Sequence, residues 1–510
     1  MLFSSWPFIA VFLPVTWFVY HWLMNKSGRR MAMYWLTVAS LFFYGWFEWE
    51  YLLLIAASVL FNHTLGHRIA AIAENREPRR KMLLTFGVAV NLGALFYYKY
   101  TGLFFETLNT MGADFIVPVI ILPIGISFFT FQSIVWLVDC YRRHAEKTSI
   151  ADYTLFITFF PHLIAGPLVH HREMVPQFMA PSAPERLQRL LAAGLSLFLI
   201  GLFKKVAIAD HMAEIADPIF NAAAAGAPLS LVEAWLGPLA YTLQIYFDFS
   251  GYSDMAVGLA AMFGIRLPIN FFSPYKSADI IEFWRRWHIT LSRLLRDYLY
   301  IPLGGNRHGA ARRHINLMIT MLLGGIWHGA NWTYLVWGGL HGFYLIVAHM
   351  WKRVSSWRMP KPVAVALTFI CVMVAWVFFR AESIHTAFHI LHSMTGVNGV
   401  ALQDTTGWIA HAFKAMGADV QSMGDNRNLR INEKWYLLWL TLAAVFVLPS
   451  MHQVMRGRLA LDVTRVAQNA SSLIKFYWRP TAGWALLIGL AAGLSMTLLT
   501  RVNAFIYFQF

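Results

Sequence analysis

Long apolar runs separated by short polar punctuation set the plan of this chain. A membrane-spanning helix needs about 20 predominantly apolar residues. Runs near that length recur at 6–24, 32–47, 51–66, 83–98, 116–140, 153–169, 190–209, 231–247, 254–264, 315–327, 332–350, 362–379, 436–449 and 483–500. Several are too short to cross alone. The pattern predicts an all-α polytopic membrane protein with about eleven crossings plus re-entrant and interfacial helices. No internal repeat, low-complexity tract or soluble domain interrupts it, so 1–510 reads as a single membrane domain.

Charge fixes an orientation. Lys26, Arg29 and Arg30 follow the first run, Glu48 and Glu50 the second, and Arg68, Arg76, Arg79, Arg80 and Lys81 the third. Glu106 and Asp114 follow the fourth, and Arg142, Arg143 and Lys147 the fifth. Basic loops stay in the cytoplasm, which places the N-terminus outside. Lys352, Arg353, Arg358 and Lys361 mark a later cytoplasmic loop, and 396–434 becomes the larger outward-facing loop.

Composition agrees. Hydrophobic residues make up 58% of the 510 and charged residues 13%, against roughly 25% charged in soluble proteins. The net charge of +15 sits in short clusters between apolar runs, so a nucleic-acid partner is excluded. Cys140 and Cys371, the two cysteines, lie far apart in apolar segments and support neither a disulfide framework nor a Cys-based metal site. The start, Met1-Leu-Phe-Ser-Ser-Trp6, lacks a basic n-region and a small-x-small cleavage site, so it reads as a retained first helix.

Against this background an ionisable residue within an apolar run is a functional candidate. His328 stands in Leu322-Leu-Gly-Gly-Ile-Trp-His328-Gly-Ala-Asn-Trp332. The apolar stretch before it, 315–327, has 13 residues and rises about 20 Å, short of a roughly 30 Å hydrocarbon core. His328 is therefore expected inside the membrane, lining a cavity reached from the cytoplasm, with Trp327 and Asn331 beside it. The alternative is a core imidazole bonded to a carbonyl. His341, thirteen residues on, reads as structural. Histidines at this depth could also ligate haem or a metal, but no Cys and no carboxylate at ligand spacing supports that.

Upstream, Asp279 and Glu282 form a capping-box-like pair opening a helix predicted to run through 283–300. Arg285, His288, Ser292 and Arg296 recur at three- and four-residue spacing and share a face. That face suits an anionic donor, with Arg285, Trp287 and Asp297 as donor-binding or tunnel-lining candidates; an ordinary snorkelling interfacial helix is the alternative. Two polar islands complete the set. Asp248-Phe-Ser-Gly-Tyr-Ser-Asp254 offers two carboxylates for a channel or donor pocket. Phe160-Pro-His-Leu-Ile-Ala-Gly-Pro167 has the look of a broken helix. Either could equally be a helix–helix contact.

Together these blocks resemble the membrane-bound O-acyltransferases, in the branch containing the membrane subunits of bacterial polysaccharide O-acetyltransferases. The resemblance runs through Phe3-Ser-Ser5, Leu122-Pro-Ile-Gly-Ile-Ser127, 160–167, 246–256, Glu282-Phe-Trp-Arg-Arg-Trp-His288, Arg296-Asp-Tyr-Leu-Tyr300, Leu303-Gly-Gly-Asn-Arg307, 322–332 and Tyr507-Phe-Gln-Phe510. It implies that His328 is the essential membrane-embedded histidine, that His288 is the second characteristic one, and that helices ring a central tunnel. It also implies an acetyl thioester, acetyl-CoA, as donor substrate with no tightly bound cofactor, and periplasmic acetyltransferase-like partner proteins acting on an exported polysaccharide, alginate foremost, cellulose or another polymer otherwise. Val169-His-His-Arg-Glu173 and the 396–434 loop depart from the alginate pattern. His328 would act as general base or become acylated itself. Two rival classes stand beside this: a flippase relaying protons through the histidines, and a passive anchor for a secretion complex. The absence of an inverted repeat and the scarcity of intramembrane carboxylates count against the flippase.

Overall fold

A computed structural model describes residues 1–180, 184–402, 408–422, 435–455, 459–461, 474, 476–499 and 505–506. Helices dominate, and the protein is a multi-pass membrane protein. Among the described residues five helical stretches are long and apolar enough to cross a bilayer by themselves: Pro7–Lys26, Tyr51–Ala71, Glu74–Thr110, Leu187–Ala224 and Lys361–Arg380. Large apolar side chains such as Leu53, Leu60, Leu486 and Leu490 point outward, as a lipid-facing surface requires. The one sheet among the described residues is a parallel pair, Val400–Leu402 with Val420–Ser422, in register Val400 to Val420. It falls in the predicted outward loop, of which 403–407 and 423–434 lie outside the described residues, as does the terminal block 507–510.

The interior is organised by α1 (Glu77–Leu95), continued by a π-turn Phe96–Tyr100; α2 (Ile126–Tyr141); α3 (Pro184–Phe203), continued by a π-turn Lys204–Ala209; α4 (Leu231–Met262); α5 (Ile280–Arg286); α6 (Ile289–Leu295); α7 (Gly309–His328); α8 (Trp332–Val354); and α9 (Lys361–Arg380). The helix boundaries correct two expectations. The predicted runs 231–247 and 254–264 are one unbroken helix, α4, opened by a Ser230/Glu233 capping box. The predicted run 315–327 is the apolar part of a longer helix, α7, which already begins at Gly309.

Helices in lipid gain little from burying apolar surface against one another, so close backbone approach matters. Gly194 and Gly201 of α3 face Gly258 and Gly251 of α4. A Cβ on Gly194 would lie 2.6 Å from the Gly258 carbonyl, and one on Gly258 2.5 Å from the Gly194 carbonyl. Gly258→Val should therefore force the helices apart and cost about 1–3 kcal/mol, the usual range for overpacking. A clearly lower melting midpoint of the detergent-solubilised protein would show it. An unchanged midpoint would mean that the seam is looser than these distances imply.

Candidate active site

His328 is the last residue of α7, at the end away from Arg312 and Arg313. Twenty helical residues rise about 30 Å, so the imidazole sits most of a membrane's thickness from the basic end. The chain turns through Gly329–Ala330 and returns as α8. Gly325 and Gly338 allow the two helices to touch: a Cβ on Gly325 would strike the Tyr334 carbonyl, and one on Gly338 the Met321 carbonyl. Asn331 caps α8, its Oδ1 accepting from Thr333 N at 3.0 Å while its Nδ2 donates to the Glu382 carbonyl at 2.8 Å. That is the work of a turn-former, and Asn331, expected beside the cavity, is not among the residues that line it.

The His328 side chain is 5% exposed. Its ring meets Trp327 at 4.9 Å, Trp337 at 5.1 Å and Phe379 at 5.3 Å between centroids. Behind it lies His288, ring to ring 6.3 Å. His341 is held in the same aromatic group, its Nδ1 accepting from Trp284 Nε1 at 3.3 Å, a structural part.

His288 reaches this place by a route the spacing did not show. The helix expected over 283–300 is broken. α5 ends at Arg286, Trp287 is extended, and His288 adopts a left-handed backbone with φ +42°. The cause is non-local: Phe272 N donates to the Arg286 carbonyl at 3.0 Å and Ile289 N to the Asn270 carbonyl at 2.9 Å. The 270–272 segment thus takes bonds that a continuous helix would have used internally. Arg285, His288, Ser292 and Arg296 consequently do not form one helical face.

A cavity of about 90 Å³ reaches His328, walled by Leu122–Phe128, Ile164, Trp327 and Lys99. It lies at the His328 end of α7, remote from the basic end, whereas a cytoplasmic approach was expected. Gly125 turns its wall with φ +75°, a conformation glycine adopts without strain. The 160–167 segment is broken as predicted: α-helix stops at Thr158 and one further turn covers Phe160–Leu163. Ile164 enters the wall, while His162 Nδ1 pairs with Gln132 Nε2 at 3.2 Å. Trp327 lies flat on Phe131, 5.2 Å between centroids, and is the predicted lining residue found beside the cavity.

The other candidates stand elsewhere. Trp287 packs among Phe271, Phe283 and Trp376, an aromatic core position and not a tunnel wall. Arg285 is exposed and makes no hydrogen bond or ion pair among the described residues, while its buried neighbour Arg286 pairs with Glu282 at 2.5 Å. Asp297 pairs with Arg296 at 2.7 Å. Asp248 and Asp254 do not line the His328 cavity. Asp248 pairs with Lys205 at 2.7 Å and accepts from Ile506 N at 2.9 Å; Asp254 pairs with Lys204 at 2.6 Å and meets His452 at 3.4 Å. Both lock α4 to the π-turn after α3, so the donor-pocket expectation for them gives way to a buried ionic junction. Among the described residues no group of three or more His, Cys, Asp or Glu is gathered as for a metal ion.

Lys99 was missed. Standing just past the apolar run 83–98, it looked like the flank of a span, yet it projects into the cavity. The available signal was an ammonium between Tyr98 and Tyr100 with no second basic residue nearby.

Comparison with known proteins bears on this arrangement. Residues 126–385 match the membrane-bound O-acyltransferase family, a stretch holding both His288 and His328. A peptidoglycan O-acetyltransferase of Helicobacter pylori is 42% identical, over 79% of this chain and 81% of its own length. A probable alginate O-acetylase, AlgI, of Pseudomonas putida is 38% identical over the whole of both chains. Its namesake in Pseudomonas aeruginosa is 43% identical over 77% of this chain and 75% of its own. With helices throughout, a membrane-depth histidine at a cavity and these relatives, the chain belongs to the membrane-bound O-acyltransferase family and is an O-acetyltransferase of the membrane.

Proposed function

We propose that this protein takes an acetyl group from acetyl-CoA on the cytoplasmic side of the inner membrane and delivers it for O-acetylation of an exported polysaccharide. The observation carrying this is His328 at the floor of a cavity on the side away from the basic loops, with His288 behind it. Under the positive-inside reading, which puts the N-terminus in the periplasm, that cavity faces outward. An acceptor hydroxyl entering there can lose its proton to the neutral His328 ring as its oxygen bonds to the thioester carbonyl carbon. The C–S bond then breaks, and the departing thiolate takes the proton back from His328. A base so placed is worth typically about 10²–10⁴-fold. Holding both reactants in a narrow, dry site contributes further. His288, fully buried against Phe249 with its ring 6.3 Å from that of His328, helps to orient it.

Alignment end to end with the alginate O-acetylase favours alginate or a similar secreted polymer; its finishing by periplasmic acetyltransferase-like partners is part of the same proposal. The peptidoglycan relative makes the cell wall the second reading. Supplying labelled acetyl-CoA to the cytoplasmic face of polymer-producing membrane vesicles should place ester-linked label on secreted polymer. Label recovered in peptidoglycan would move the acceptor to the wall. Label remaining wholly on CoA while polymer is secreted would sink the reading and favour a transporter.

A further inference from the structure

The carbonyl end of α7 is held by a single π-turn. Tyr100 Oη donates to the Ile326 carbonyl at 2.8 Å, and Lys99 Nζ donates to the carbonyls of Trp327 at 2.7 Å and His328 at 3.0 Å. The third contact of the ammonium is longer, 3.4 Å to Ser127 Oγ. Lys99, Ser127 and His328 all line the same cavity. The extra residue per turn in Phe96–Tyr100 brings consecutive side chains to one helix end, and π-bulges of this kind concentrate at functional sites.

A helix C-terminus needs donors, and a cation there is favourable. Tyr100 shows that a neutral donor suffices. An ammonium at membrane depth is expensive, and this one stands beside the imidazole with one N–H only loosely engaged. We propose that Lys99 is a catalytic residue whose charge stabilises the oxyanion formed during acyl transfer at His328. The inference rests on the acyl-transfer reading above. As the acceptor oxygen bonds to the thioester carbon and its proton passes to His328, the carbonyl π pair moves onto oxygen. The third N–H of Lys99 leaves Ser127 for that oxyanion. Collapse restores C=O, breaks C–S and sends the proton from His328 to sulfur, leaving Lys99 unchanged.

Removing one such donor costs about 10²–10³ in kcat. The test compares Lys99→Gln, whose amide N–H still caps the α7 carbonyls without charge, with Lys99→Arg, which keeps the charge. Transfer from labelled acetyl-CoA is measured in membranes containing equal amounts of each protein, with melting midpoints of the solubilised variants alongside. Lys99→Gln should lose about 10²–10³-fold in kcat with KM for acetyl-CoA little changed, the pattern of an interaction made only in the transition state. Lys99→Arg should recover most of the loss at a similar midpoint. Near-normal kcat in Lys99→Gln overturns the proposal. So does an Arg variant as inactive as Gln, because a lost charge is then not the cause. His328→Ala in the same membranes separates the two readings: inactive His328→Ala with active Lys99→Gln removes only this inference, whereas active His328→Ala removes the reading of His328 as the base, on which this inference rests.

Discussion

Replacing His328 with Ala should lower acetyl transfer by about 10²–10⁴-fold, or roughly 3–5 kcal/mol of transition-state stabilisation, at normal amounts of folded protein. The expectation of a clean catalytic loss comes from where the ring sits. It closes α7, so no downstream helical hydrogen bond depends on its side chain, and it borders a cavity of about 90 Å³ that can absorb the missing volume. His328→Gln fills the same space and can still hydrogen-bond, but it cannot accept a proton near neutral pH. It should be about as inactive as Ala. The measurement is acetyl ester on secreted polymer, normalised to the amount of the variant in the membrane. Ester levels within a few-fold of wild type for Gln would take proton transfer away from His328 and leave it a wall of the cavity. If both variants vanish from the membrane, the side chain is holding the α7–α8 turn together, and a structural reading replaces the catalytic one.

The place of His328 beside a cavity at a helix end was legible because glycines crowd a histidine in an apolar run, although its ring neighbours Trp337, Phe379 and His288 come from other segments. The break at 160–167 was legible for the same reason, with Pro161, Gly166 and Pro167 so close together. The break at His288 was not. Its cause is the backbone of 270–272, a partner that helical spacing within 283–300 cannot reveal. The unbroken α4 was hidden similarly: Asp248 and Asp254 look like an interruption until Lys204 and Lys205 arrive from another helix to pair them. Charges are read from sequence one at a time, but their cost is settled by neighbours. Lys99 shows the converse. A lysine at the edge of an apolar run resembles an ordinary interfacial flank, and only the folded π-turn shows it aimed inward at the end of α7.

That ionic junction yields the second large effect. Lys205 lies between Asp248 and Asp210, 2.7 Å from each, and Asp248 is 1% exposed. Lys205→Met keeps the length and apolar stem of the side chain but takes the shared cation from two buried carboxylates, Asp248 and Asp210. Breaking a buried pair from one side costs about 3–5 kcal/mol, because the remaining charge is stranded. The melting midpoint of the solubilised protein should fall steeply, with less protein accumulating in the membrane. Adding Asp248→Asn to Lys205→Met removes the more deeply buried of the two charges while keeping an acceptor for Ile506 N, and should recover part of the loss. The double variant also decides between the two readings of the 248–254 island. If that island only joins helices, the double variant should transfer acetyl groups at close to the wild-type rate per folded molecule. A double variant that melts normally yet transfers nothing would return Asp248 to the donor path, with Lys205 as its charge partner there.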